Sequence, residues 1–482
     1  MANNNAQGYA RIPVTRTIEA VKNPVEVFRI LKGLSKQVFI LESLEDKEEW
    51  GRWTFLGFDP KLEVSCVDGC LRVKNGASFE IRTEDPGAYI KKMVAENRAP
   101  SSIEGLPPFT GGLVGYFSFD FIKYSEKTLR GKAGLPDEEQ FKDFDLMLFD
   151  KLIVFDNLNN KIILIVNVKT DAEKENRNRA ELELSMMEDI VLNGAETEFP
   201  PLSLRSGWNE LFDREQYCRM VEKAKRHIIE GDVFQVVLSN RLVAEAEGSL
   251  FGTYLALRKI NPSPYMFYFA SDDVEIAGAS PETLVKLKDG VLHTFPLAGT
   301  RPRGGTEDED VYLEKDLLSD EKELAEHNML VDLGRNDLGK VSAFGSVKVE
   351  KYLSVERFSH VMHIGSTVRG TITNDKTAVD AINAVLPAGT LSGAPKIRAC
   401  QIIAELENCP RGIYGGAIGY IDFSGNMDTC IAIRLAFKKN GRVFVRSGAG
   451  IVADSVPEKE YEECRNKMKA VVNALEAGGG DR

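Results

Sequence analysis

Four acidic residues fall into two pairs with the spacing of a helix face. Glu323 and Glu326 in LLSDEKELAEHNMLVDLGRND are three apart, as are Glu460 and Glu463 in SVPEKEYEECRNKM. Residues three apart share one side of a helix, although either pair alone also suits a solvated acidic face. If the two faces meet, their carboxylates repel unless a cation sits among them, and an all-oxygen donor set suits magnesium. Arg434 is the single arginine of MDTCIAIRLAF. Read as one strand, this segment puts Ile431, Ile433, Leu435 and Phe437 on one face and Cys430, Ala432, Arg434 and Ala436 on the other. Small residues around a guanidinium leave room for a carboxylate held at two points, with a structural ion pair as the equal alternative. His360 and His363 offer acid/base chemistry, but no third histidine or cysteine nearby makes a zinc set. FPLAGTRPRGG, from Phe295, is by itself a tight polar-lined turn.

These groups need elements to aim them. Ser455 and Glu458 form a capping-box pattern that starts the second acidic helix, with Pro457 tolerated in its first turn. Tyr461, Cys464 and Met468 form an apolar stripe that could dock it. The preceding GAGIVA (Gly448–Ala453) follows the strand RVFVRS, so its backbone can approach a ligand closely. A carboxylate suits that geometry as well as a pyrophosphate, and the βαβ surroundings of a dinucleotide site are missing. GRNDLGK (Gly334–Lys340) is not a P-loop, because Val341 replaces the metal-holding Ser or Thr and a helix precedes it.

Residues 1–200 read as a β-rich region, with a hairpin around Asn157 to Asn160, a charged helix over about 170–192 and a linker holding Pro200 and Pro201. Residues 207–475 read as the catalytic region. It opens with a helix from Asp213 to Gly231 whose apolar Tyr217, Met220, Val221, Ala224 and Ile228 fall at helical spacing. Strands and helices then mix without a βαβ rhythm, which argues against a simple parallel sheet.

The 482 residues are 43% apolar and 28% charged, an ordinary globular balance. A net charge of -12 disfavours a nucleic-acid partner and requires any anion site to be made locally positive. No run of about 20 apolar residues suggests a membrane span, and the N-terminus lacks a signal-peptide block, so the cytoplasm is the expected location. The seven cysteines fit neither a zinc pattern nor a disulfide framework; Cys66 and Cys70 lack a second pair.

In chain order, PLAGTRPRG (Pro296–Gly304), ELAEHNMLVDLGRND (Glu323–Asp337), LPAGTLSGAPKIRA (Leu386–Ala399), RGIYGGAIGY (Arg411–Tyr420) and RSGAGIVADSVPEKEYEE (Arg446–Glu463) closely resemble the chorismate-utilising enzymes. That resemblance implies an α+β fold of two antiparallel sheets packed face to face with helices outside, and a cleft for chorismate and magnesium. It implies Glu326 and Glu463 as magnesium ligands, supported by Glu323 and Glu460. It assigns Tyr414, Arg434, Gly448, Ala449 and Gly450 to the substrate's carboxylates, with Lys467 a further candidate. Gly299, Thr300 and Thr390 become ring-pocket residues, and His363 the group that assists loss of pyruvate.

Within the family the resemblance turns on Ala298. The isochorismate-, salicylate- and aminodeoxychorismate-forming members carry lysine there, which activates water or attacks C2. Alanine can do neither, so ammonia attacks C2 directly, as in the anthranilate-forming members. ILES (Ile40–Ser43) and NPSPYM (Asn261–Met266) resemble the tryptophan feedback pocket of those members. Glu42, Ser43, Asn261, Pro264, Tyr265 and Met266 are the implied contacts. No glutaminase nucleophile motif is visible, so the expected ammonia source is a separate glutamine amidotransferase subunit, in a heterotetramer or larger assembly. The expectation is a lyase that converts chorismate and ammonia to anthranilate and pyruvate at the first committed step of tryptophan synthesis, inhibited by tryptophan. Its rivals are an aminodeoxychorismate-forming subunit and a non-catalytic tryptophan-binding regulator; the acidic pairs and Arg434 argue against the second.

Overall fold

The computed structural model describes residues 8–45, 51–130, 139–357 and 361–479. Its apolar runs pair into two large sheets with antiparallel ladders, one of thirteen strands and one of twelve. Both sheets take strands from either side of residue 200. In the first, Val38–Glu42 lies beside Tyr265–Ala270, with Phe39 opposite Phe269. In the second, Gly112–Phe117 lies beside Ala417–Asp422, with Gly115 opposite Gly419. The sheets meet across an aromatic layer in which Phe39 and Phe149 are edge-to-face at 4.8 Å and Phe109 stacks on Tyr420 at 4.2 Å. Such contacts add roughly 0.5–1.5 kcal/mol each beyond the area they bury.

Helices cover the outer faces. Arg214–Ile229 begins at Asp213, whose carboxylate accepts from the Gln216 amide while Gln216 returns the bond, and it buries Tyr217, Met220, Val221 and Ala224. Pro457–Gly478 buries the expected stripe of Tyr461, Cys464 and Met468 against the first sheet's core. Lys151–Asp156 and Lys161–Lys169 form the hairpin expected around Asn157 to Asn160. GRNDLGK is the end of the helix Glu321–Gly339, so its amides belong to that helix. Among the described residues, no helix is long and apolar enough to cross a membrane.

Two expectations fail locally. MDTCIAIRLAF is not one strand: Met427–Ile431 belongs to the second sheet and Leu435–Lys439 to the first. The chain changes sheets between them, and Arg434 takes a left-handed conformation at φ 51° to make the turn. Ser455 is not a helix cap either. Proline favours the first helical position, which moves the cap to Val456, and no side chain bonds there. The Ser455 hydroxyl instead accepts from the Val452 amide at 3.1 Å and bonds Glu460.

Candidate active site

A cavity of about 760 Å³ collects segments far apart in sequence. Its walls include Ala298, Gly299 and Thr300 from one strand, His363 from the next, and Glu323 and Glu326 from the Glu321–Gly339 helix. Thr390, Tyr414, Arg434, Gly448, Gly450, Glu460, Glu463 and Lys467 complete the expected set. Ala449 is the exception: strand alternation turns its methyl into the core. His360 lies outside the described residues.

The Leu297–Pro302 strand shifts register against Val361–Thr371 between Ala298 and Arg301, so Gly299 and Thr300 bulge beside His363. Gly299 sits at φ 67°, and a Cβ there would stand 3.0 Å from Leu317 and 3.2 Å from the Glu323 carboxylate. Its carbonyl lies 2.8 Å from His363 Nδ1, with the Thr300 hydroxyl 3.1 Å away. A carbonyl only accepts, so Nδ1 carries the proton and Nε2 of the neutral ring carries the lone pair. Burial, helped by the charge of Arg434, holds the imidazole below its ordinary pKa, although the bond to Gly299 pulls the other way. His363 is thus a neutral base in a fixed tautomer.

Glu282, which the sequence reading missed, lines the same cavity. Burial pushes its carboxyl up to about 7, against the hydrogen bond from Thr390 at 3.2 Å and the charge of Arg434. A carboxyl at that value can donate a proton at neutral pH. Gln235 also lines the cavity, and a Cβ on Gly450 would strike its side-chain amide at 2.3 Å. A Cβ on Gly448 would stand 2.7 Å from the Leu238 carbonyl and 3.2 Å from the Tyr414 hydroxyl, so backbone on one side keeps that position glycine. Behind it, Glu407 accepts from Arg411 Nε at 3.0 Å and Arg446 Nη2 at 2.7 Å, all three being buried. Breaking such a buried network typically costs about 3–5 kcal/mol, so the wall is rigid.

The four glutamates fit a hard divalent cation by chemistry. Burial, then the neighbouring Glu323, raises the Glu326 carboxyl, and burial followed by the charge of Glu463 raises that of Glu460. Those shifts record repulsion that a cation would relieve. Among the described residues, however, the one set of three possible ligands with atoms within 4.8 Å of each other is His227, Glu230 and Asp232. That set is outside this cavity, and Asp232 is already held by Arg398 at 2.5 Å.

A second cavity of about 600 Å³ lies between the sheets and is lined by Glu42, Ser43, Pro264, Tyr265 and Met266, with Trp53 and Phe55. Asn261 does not line it; it ends the helix Phe251–Ile260. The Tyr265 hydroxyl donates to Asp428 at 2.8 Å and accepts from Thr283 at 2.9 Å. Thr283 follows Glu282 in the chain, so one backbone step joins this hydrogen bond to a residue of the catalytic cavity.

The sequence profile of the chorismate binding enzymes matches residues 43–473, and the chain belongs to that family. It is 44% identical to anthranilate synthase component 1 of Acetivibrio thermocellus, covering 98% of this chain and 97% of that one. It is 43% identical to the protein of that name from Pseudomonas aeruginosa, over 98% and 96%. The crystal structure of anthranilate synthase component I from Streptococcus pneumoniae superposes with a TM-score of 0.75 at 36% identity, covering 94% of this chain and 98% of that one. MenF, the isochorismate synthase of Escherichia coli, shares the fold at a TM-score of 0.69 and 19% identity, over 98% of this chain and 96% of its own.

Proposed function

We propose that the chain is the synthase subunit that converts chorismate and ammonia to anthranilate, pyruvate and water. The observation that carries this reading is Ala298 in the wall of the cavity that His363 and Glu282 also line. A methyl group neither deprotonates water nor forms an adduct, which favours ammonia as the nucleophile that attacks the ring directly. Arg434 and the Gly448–Gly450 wall hold the substrate's carboxylates. Ammonia attacks C2 while the C4 hydroxyl leaves; Glu282 supplies the proton that makes it water and recovers one from the new C2 ammonium. His363 Nε2 then takes the C2 proton, the enolpyruvyl C–O bond breaks, and the ring becomes aromatic. Protonation of the departing enolate gives pyruvate. Magnesium held by Glu326 and Glu463, with Glu323 and Glu460 in support, would draw charge from the ring through the C1 carboxylate. A separate glutamine amidotransferase subunit supplies the ammonia, and tryptophan occupies the second cavity as inhibitor.

The test is product analysis with chorismate, Mg²⁺ and ammonium. Anthranilate with pyruvate in equal amounts is expected. An amino-chorismate that keeps its enolpyruvyl group would identify an aminodeoxychorismate-forming enzyme instead. Ala298→Lys should lower anthranilate formation, and an unaffected rate would mean that position 298 does not face the ring.

A further inference from the structure

Lys467 has no obvious reason to lie where it does. Its ammonium is 2.7 Å from Glu463 and donates to the Gly448 carbonyl at 3.2 Å. Its charge also acts on Glu326 and Glu460. One ammonium therefore pairs with one of the four carboxylates, acts on two more through its charge, and touches the glycine wall as well. Lys322 offsets the charge of Glu326 and Glu460 too, but it forms no ion pair among those described.

From this geometry we infer that Lys467 is a stand-in cation, occupying Glu463 until a divalent ion displaces it and then turning to the substrate's carboxylate at Gly448. The inference rests on the metal reading of the acidic helices given above. The displacement is easy. Lys467 and Glu463 are an i,i+4 pair with side chains 52% and 50% exposed. Such pairs shift an equilibrium by only roughly a factor of two. Staying is what costs: an ammonium a few ångströms from a divalent ion is strongly repelled, and the effect is large in a half-buried cavity. The lysine need not travel far, because it already bonds the wall where an anionic ligand would sit. Metal and substrate then favour the same lysine position, so each tightens the other, and the coupling is reciprocal.

Mn²⁺ binding, followed by electron paramagnetic resonance on the full chain, tests this without using turnover. Lys467→Gln should bind Mn²⁺ roughly three- to tenfold tighter than the native chain when chorismate is absent. Chorismate should tighten Mn²⁺ in the native chain and do so less in the variant. Lys467→Arg keeps the charge and should restore native behaviour, which separates charge from fold. Equal or weaker Mn²⁺ affinity in Lys467→Gln overturns the stand-in role alone. A native chain that takes up no Mn²⁺, with or without chorismate, overturns the metal reading and this inference with it.

Discussion

The two cavities have no lining residue in common, and they treat charge differently. In the catalytic cavity, carboxylates face carboxylates: Glu323, Glu326, Glu460 and Glu463 line one space, and burial raises Glu282 as well. In the second cavity the acidic groups already have partners. Glu42 accepts from Tyr254 and from Arg258 Nε at 2.6 Å, and Asp428 is held by Lys286 at 2.9 Å as well as by Tyr265. Groups held away from their resting protonation can move protons or take up a cation. Groups locked into a satisfied network can only present a shape. The difference separates a place for chemistry from a place for recognition.

The largest effect that would break this division is at His363. His363→Asn should lower kcat with ammonium by about a hundred- to ten-thousand-fold. Tryptophan binding, measured by titration, should not change. Loss of both together would mean that the cavities act as one site.

Glu282→Gln should lower kcat by roughly a hundredfold and change the pH profile. The native carboxyl holds its proton below about 7 and loses it above, so activity should fall on the alkaline side near that value. His363 must be neutral, and its pKa lies below the usual 6.5, so the acid limb belongs there. Glutamine should abolish the alkaline limb and keep the acid one. The same raised carboxyl makes folding less favourable as pH rises from its unfolded value of about 4.5 towards 7, because over that range the native state keeps a proton that the unfolded chain releases. An alkaline limb that persists in the variant would assign it to another group.

The smallest effect sharpens the link between the cavities. Tyr265→Phe removes the hydroxyl that joins Asp428 to Thr283. One buried hydrogen bond is worth about 0.5–1.5 kcal/mol, so inhibition by tryptophan should weaken roughly three- to tenfold. The uninhibited rate should stay within about twofold. A larger loss of rate than of inhibition would show that the hydroxyl supports Glu282 more than it reports on the second cavity.

Much of the catalytic cavity was legible because its residues sit in compact motifs whose spacing survives as a helix face or strand edge. Glu323 with Glu326 and Glu460 with Glu463 are such cases. Glu282 was not legible: a single acid after Ser280 and Pro281 has no spacing to betray it, and its pKa comes from burial beside Thr390 and Arg434. Arg434 was found for a reason that proved incomplete. Strict alternation placed it on a strand face, but period-two patterning cannot show that a strand changes sheets, and an apolar run looks the same on both sides of the switch. The Ser455 cap failed through competition between two local rules, and Pro457 decided it. The two-sheet architecture came from the family resemblance, since strand pairing between residues such as Phe39 and Phe269 leaves no trace in local sequence.

That pairing has a consequence for how the gene can be divided. Among the described residues, every one that lines the catalytic cavity comes after position 234, which makes the first two hundred residues look dispensable. They are not a detachable module, because Val38–Glu42 and Gly112–Phe117 are internal planks of the two sheets. A fragment lacking them would keep every reactive group and lose the scaffold that holds them apart, with the aromatic layer opened to water. Separating inhibition from catalysis therefore has to be done by point substitution inside an intact chain, never by cutting it in two.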